Sequence, residues 1–141
     1  MLRSDEVRKH LCGVPELSRL GSEGYLPEVS RRVYETLAER SAIIVRADHT
    51  VIVDAVFGRA QDRAAIEQIA APAQVPFVGL WLEAPERLLL DRVRRRERDA
   101  SDADVAVVRT QLETSTGAIT WHRIDAAADM SDVLRQVTAL L

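Results

Sequence analysis

The sequence predicts an α/β domain built on a parallel sheet, and three observations predict it. Apolar runs and amphipathic stretches alternate along the chain, which is the order of parallel strand–helix–strand units. Two of the runs, "VIVDAVF" and "VPFVGLWLEA", are nearly continuous in apolar residues, as parallel strands buried on both faces are. The length of 141 residues is about one domain, enough to enclose a core.

Taken in order, residues 1–4 read as the end of a strand. "SDEVRKHLCG" reads as a short helix with Ser4 or Asp5 as cap and Gly13 as its stop. "VPELSRLGSEGYLPEVS" holds two prolines and two glycines and reads as a loop excursion. "SRRVYETLAERSAIIVRA" places Val33, Leu37 and Ile44 at helical spacing, with Ser30 as cap. "DHT" is a turn into the strand "VIVDAVF". "GRAQDRAAIEQIAAPA" is a helix stopped by its proline, and "VPFVGLWLEA" is the next strand. "APERLLLDRVRRRERD" is a helix, apolar at first and then strongly basic. "SDADVAVVRTQLE" is a further helix capped by Ser101. "ITWHRIDA" is a short strand, and "MSDVLRQVTALL" is a closing amphipathic helix.

Composition narrows the function classes. Hydrophobic content of 47% and charged content of 29% are ordinary for a globular chain. A net charge of −3 argues against a nucleic-acid surface. Cys12 is the single cysteine, so no internal disulfide and no cysteine-based metal cluster is expected, and the cytoplasm is the simplest compartment. No apolar run approaches the roughly 20 residues of a membrane span, and no signal peptide is visible. His10, His49 and His122 have no partner spacing, so no metal site is expected. No serine-centred elbow or Cys/His pair supports a nucleophile.

Ligands of parallel sheets sit beyond the carboxyl ends of the strands. Asp54, Glu83 and Asp125 each follow an apolar run there, although strand ends are also where chains return to water. Asp5-x-x-Arg8 sets a carboxylate and a guanidinium one turn apart. The carboxylate could accept a hydroxyl's proton while the arginine holds an anion. The same spacing also describes a surface ion pair worth a few tenths of a kcal/mol. Arg92, Arg94, Arg95, Arg96 and Arg98 crowd one helix end, with Arg92 and Arg96 on one face. Their planar donor forks suit phosphate oxygens, yet Asp91, Glu97 and Asp99 allow a plain solvated face as well.

Read together, "LRSDEVRKHL", "VSRRVYETLAE", "HTVIVDAVF", "GLWLEAPERLLLDRV", "RDASDADVAVVRTQL" and "WHRID" resemble a family of P-loop kinases. These are small ATP-binding proteins often described as AAA-family ATPases, akin to zeta-toxin and polynucleotide kinase. Some are fused to aminoglycoside-phosphotransferase-like domains. The resemblance runs from about residue 2 to the end. It implies ATP and Mg2+ as cofactors and phosphoryl transfer to a small-molecule hydroxyl. It also implies roles for individual residues. Asp5 would be the base toward the acceptor hydroxyl, and Arg8 would hold the substrate. Asp54 would lie near metal and phosphates. Arg92 and Arg96 would neutralise charge from a lid at about residues 92–104. Such catalysis rests on positioning and electrostatics.

One family element is not in these residues. The P-loop needs G-x-x-x-x-G-K-[S/T] between a strand and a helix, so that backbone amides and the lysine cradle phosphates. The glycines are 13, 21, 24, 58, 79 and 117, none followed by lysine, and Lys9 is the only lysine. The expected fold is therefore a three-layer parallel sheet of P-loop kinase type with its central P-loop strand missing, as one incomplete domain over residues 1–141. The expected activity of this chain alone is impaired or absent. Three readings follow from that. The chain is a truncated kinase, or a non-catalytic binding or assembly module that self-associates, or half of a split kinase with a P-loop-bearing partner.

Overall fold

The computed structural model describes residues 1–95, 108, 112 and 115–141. It divides into two units, Met1–Val75 and the described residues from Pro76 onward.

The first unit opens with β1 (Leu2–Arg3), which runs without a turn into α1 (Ser4–Leu11). A 3-10 turn (Ser22–Tyr25) precedes the long helix α2 (Pro27–Arg46). Then come β2 (Val53–Asp54), α3 (Ala60–Glu67) and the single turn α4 (Ala70–Ala73). β1 and β2 are parallel, with Leu2 opposite Val53 and Arg3 opposite Asp54. The core forms where α1 crosses α2. Val7 meets Val33 and Leu37, which lie one turn apart on α2, and Leu2, Leu11, Tyr34, Val53 and Ala55 pack around them.

The second unit holds β3 (Leu80–Glu83), α5 (Glu86–Arg95), β4 (His122–Asp125) and α6 (Met130–Thr138). β3 and β4 pair in parallel from Leu80 opposite His122 to Glu83 opposite Asp125. Ile124, at 2% exposure, is its most buried apolar residue, and Leu90 and Val108 are buried as well. Gly79 is required where it stands. A Cβ there would lie 2.4 Å from the Trp121 ring, which also meets Phe77 at 5.8 Å between centroids.

Several local expectations change. Both apolar runs form strand over only part of their length, Val53–Asp54 and Leu80–Glu83. Each strand has one hydrogen-bonded neighbour among the described residues, and the strand ends where that neighbour ends. Ser4 and Asp5 lie inside α1. Its N-cap is Arg3, in extended conformation, and no side chain caps it. α2 begins three residues before Ser30, because Pro27 is preset for the first helical position. The helix expected over "GRAQDRAAIEQIAAPA" breaks into α3 and α4, and Pro72 lies within α4 instead of ending it. The first amides of a helix have no intrahelical partner, so a proline in a single turn sacrifices nothing. Gln74, left-handed at φ 56, makes the stop. Ser101 as a cap, and the lid beyond Arg95, lie outside the described residues, although Val108 and Leu112 are helical. α6 matches expectation, capped by Asp129, whose carboxylate accepts the Asp132 amide at 2.9 Å.

Leu37 is 1% exposed at the centre of the first core. Leu37→Ala is expected to lower unfolding stability by about 2–5 kcal/mol. Leu17→Ala, at a site 70% exposed, should stay within about 0.5 kcal/mol. Urea titrations of both variants compare the two.

Candidate functional site

In the first unit, two expected site residues stand at neighbouring strand ends. β1 ends at Arg3, and Asp5 lies in the first turn of the helix that follows. Asp5 is one of two acids in the first turn of α1, with Glu6. Asp54 closes β2 directly opposite Arg3. Its carboxylate accepts from Arg3 Nε at 3.3 Å, and Arg3 also reaches Glu6 at 3.7 Å. The Asp54 side chain is 60% exposed, so this contact contributes little to stability and leaves the carboxylate facing water.

Arg8 lies in the protein interior, and its contacts there are structural. One guanidinium nitrogen donates to Gly24 O at 2.7 Å and to Ser30 Oγ at 3.1 Å. The group lies 4.9 Å from the Tyr25 ring centroid, within cation–π range. Its Nε is buried without a partner among the described residues. The neighbouring Lys9, 2% exposed, donates to Glu16 O at 2.8 Å. Two adjacent cations of α1 thus hold both limbs of the excursion between α1 and α2.

A second cluster escaped the sequence. Phe57 has φ 47, a left-handed conformation that is strained for a bulky residue. Its neighbours hold it there. Its amide donates to Tyr34 Oη at 3.1 Å, and its ring meets the Tyr34 ring edge-on at 5.5 Å. The buried Arg63 donates to Phe57 O at 2.8 Å and to Gly58 O at 3.1 Å. Arg59 grips Asp62 through two nitrogens, at 2.8 and 3.0 Å, and lies over the Tyr34 ring. This network shapes the loop that leaves β2 just after Asp54. Arg59 and Asp62 are i,i+3 neighbours and were open to sequence reasoning. Tyr34 is 23 positions from Phe57, and no local pattern joins them.

In the second unit, Glu83 and Asp125 close β3 and β4 side by side. The Glu83 carboxylate is bound by Arg123. Asp125 Oδ1 accepts the Ala127 amide at 2.9 Å, which turns the chain after β4. Arg92 donates to Ala126 O at 2.8 Å in the same turn. A cavity of about 570 Å³ lies beside it, lined by Pro85, Arg87, Leu88, Asp91, Arg95 and Ala127. Arg96 lies outside the described residues.

Burial pushes the Tyr34 phenol above its ordinary pKa of 10.0, with the Phe57 hydrogen bond opposing in part. Above pH 10.0 the unfolded phenol ionises while the folded one keeps its proton. That contribution to stability is full below this pH and is lost as pH rises through the folded pKa. Stability of the parent is therefore expected to fall in this alkaline range, and Tyr34→Phe should flatten that fall. At neutral pH the same variant should lose about 0.5–1.5 kcal/mol, because the hydrogen bond from the Phe57 amide to Tyr34 Oη is removed. Arg8→Ala is expected to release the excursion and speed tryptic cleavage after the exposed Arg19, as read by mass spectrometry.

The profile of the AAA_33 family, described as an AAA domain, matches residues 1–117. The chain is 28% identical over 131 residues to the uncharacterized proteins Rv2004c of Mycobacterium tuberculosis (strain ATCC 25618 / H37Rv) and Mb2027c of Mycobacterium bovis (strain ATCC BAA-935 / AF2122/97). Each match covers 90% of this chain and 26% of the relative, so the chain spans about a quarter of the length of the curated relatives it matches. Among solved structures, a gluconokinase from Sinorhizobium meliloti 1021 is similar with a TM-score of 0.61 at 20% identity, covering 98% of this chain and 74% of that one. That likeness concerns the fold, which is of the P-loop kinase type. With most of its length matched by the family profile, the chain belongs to the AAA_33 family of AAA domains.

Proposed function

We propose that the chain is the acceptor-side part of a P-loop kinase, a class that transfers a phosphoryl group from ATP, with magnesium, to a small-molecule hydroxyl. One observation supports this above others. Asp5 and Asp54 follow adjacent parallel strands at their carboxyl ends, where such sheets take ligands. In this reading Asp5 accepts or orients the proton of the acceptor hydroxyl. Arg8, buried, holds the wall of the acceptor side through Gly24 and Ser30. Asp54 supplies the carboxylate nearest the metal. Arg92 and Arg96 supply positive charge near the transferred group.

The residues present do not complete a site for ATP. The cradle G-x-x-x-x-G-K-[S/T] is not among the 141 residues. The one lysine, Lys9, is buried and committed to Glu16 O. Asp54 fits a magnesium ion through water, but it is a single carboxylate. The chain alone is therefore proposed to bind and turn over ATP poorly, as a truncated kinase would. The missing cradle also favours a second reading, a non-catalytic binding or assembly module. No helix among the described residues is long and apolar enough to cross a membrane. A cytoplasmic site of action is part of this reading, and the free thiol of Cys12 is compatible with it.

Calorimetric titration with ATP and magnesium separates the readings. Weak binding by the chain alone, with binding and acceptor phosphorylation gained when a phosphate-loop segment is added, is expected of the kinase. No gain on completion favours the module, and tight binding by the chain alone contradicts the poor ATP binding proposed here. In the completed protein, Asp5→Asn is expected to lower turnover by about 100-fold or more with little change in ATP affinity. Full activity in that variant removes Asp5 from the mechanism.

A further inference from the structure

The ion pair at the start of α3 is not built like an ordinary surface pair. Arg59 donates to Asp62 from both Nε and Nη2. The Asp62 side chain is 8% exposed, whereas that of Arg59 is 43% exposed. The carboxylate is thus an inner anchor, and the guanidinium is the end that reaches water. In the pair Arg31–Glu35 both side chains are more than half exposed, and neither anchors the other. Arg59 is also fixed from other directions. It lies 5.8 Å from the centroid of the Tyr34 ring, and Arg59 O accepts the Asp62 amide at 3.1 Å. Because Asp62 takes the Nε edge, the edge formed by Nη1 and Nη2 is left over. Nη1 has no hydrogen-bond partner among the described residues. Two parallel N–H groups on such an edge match two oxygens of a carboxylate or a phosphate.

The place of this fork ties it to the acceptor side. Arg59 ends the loop that runs from Asp54 of β2 to α3. The charges of Asp62, Arg8 and Arg59 all act on the Tyr34 phenol, so the group borders α1, whose first turn carries Asp5. Of the three arginines around Tyr34 and Phe57, Arg8 and Arg63 are buried and donate to main-chain carbonyls. Arg59 is the one of the three that reaches water. We propose that Arg59 determines acceptor specificity, and that the acceptor carries an oxyanion, a carboxylate or a phosphate, in addition to its hydroxyl. Asp62 and Tyr34 are positioning residues that hold the fork before the ligand arrives, which lowers the entropy lost on binding. The inference rests on the kinase reading for the identity of the ligand as a phosphoryl acceptor.

The test uses the full chain, isotope-labelled, and three probes of one polyol skeleton: glycerol 3-phosphate, glycerate and glycerol. NMR titration reads the Arg59 Nε–H signal and the amide of Phe57, which donates to Tyr34. The expected result is a saturable shift of both signals by an anionic probe and none by glycerol. Tighter binding of glycerol 3-phosphate assigns a phosphate, and tighter binding of glycerate assigns a carboxylate. Arg59→Gln should weaken the tighter probe by about tenfold or more, read at the Phe57 amide. Should that variant unfold because Asp62 is left buried without its partner, Arg59→Lys keeps a charge beside Asp62 but loses the fork. It should weaken binding by about threefold or more. Asp62→Asn should weaken binding and raise the mobility of Arg59 Nε in relaxation measurements. Unchanged affinity in the folded Arg59 variants overturns the proposal. So does the lack of a saturable shift with either anionic probe, or an equal shift at Arg31 Nε, which marks non-specific anion binding. Acceptor phosphorylation by the chain completed with a phosphate loop is scored separately. Oxyanion binding at Arg59 without any phosphorylation keeps the oxyanion site and counts against the kinase reading. Phosphorylation of neutral polyols alone keeps the kinase reading and overturns the role of Arg59.

Discussion

A parallel strand lasts only as far as a neighbour supplies its hydrogen bonds, and this constraint shapes the whole chain. The seven-residue run "VIVDAVF" forms strand over Val53–Asp54, where β1 lies alongside. The run "VPFVGLWLEA" forms strand over Leu80–Glu83, opposite β4. Apolar character makes these residues able to be strands, and pairing decides how many become so. In each pair the last paired residue on one or both strands is an acid, Asp54 in the first and Glu83 with Asp125 in the second. The pairing thus places carboxylates where the chain leaves the sheet.

The loops beyond those ends are held by cations turned inward. Arg8, Lys9 and Arg63 are each more than nine-tenths buried, and each donates to at least one main-chain carbonyl. A buried cation is costly unless its donors are matched, so each fixes one loop conformation and opposes others. Arg8 and Lys9 set the excursion between α1 and α2. Arg63 and Tyr34 hold Phe57 in its strained conformation just past Asp54. Strain next to a strand-end acid is a feature of preorganised sites.

Family and fold agree that the chain is of the P-loop kinase type. The phosphate cradle is the part that the 141 residues do not contain. The curated relatives are about four times longer than the stretch they share with this chain, so their whole activity is not carried over from that stretch alone.

The order of strands and helices was legible in the sequence because it rests on local periodicity. The closing helix α6 and the acids after the apolar runs were legible for the same reason. The sequence pointed to Ser30 as the start of α2, but the helix begins at Pro27 and Ser30 Oγ accepts from Arg8. What the sequence could not show was every contact between residues far apart in the chain. Arg8 meets Gly24 across 16 positions, Tyr34 meets Phe57 across 23, and Arg92 meets Ala126 across 34. By itself the sequence determined the α/β order, the acids after apolar runs and that these 141 residues hold no G-x-x-x-x-G-K-[S/T] motif, all properties of short windows. Only the tertiary structure decided which apolar residues became strand and that Arg8 faces inward, because both depend on partners brought near by folding.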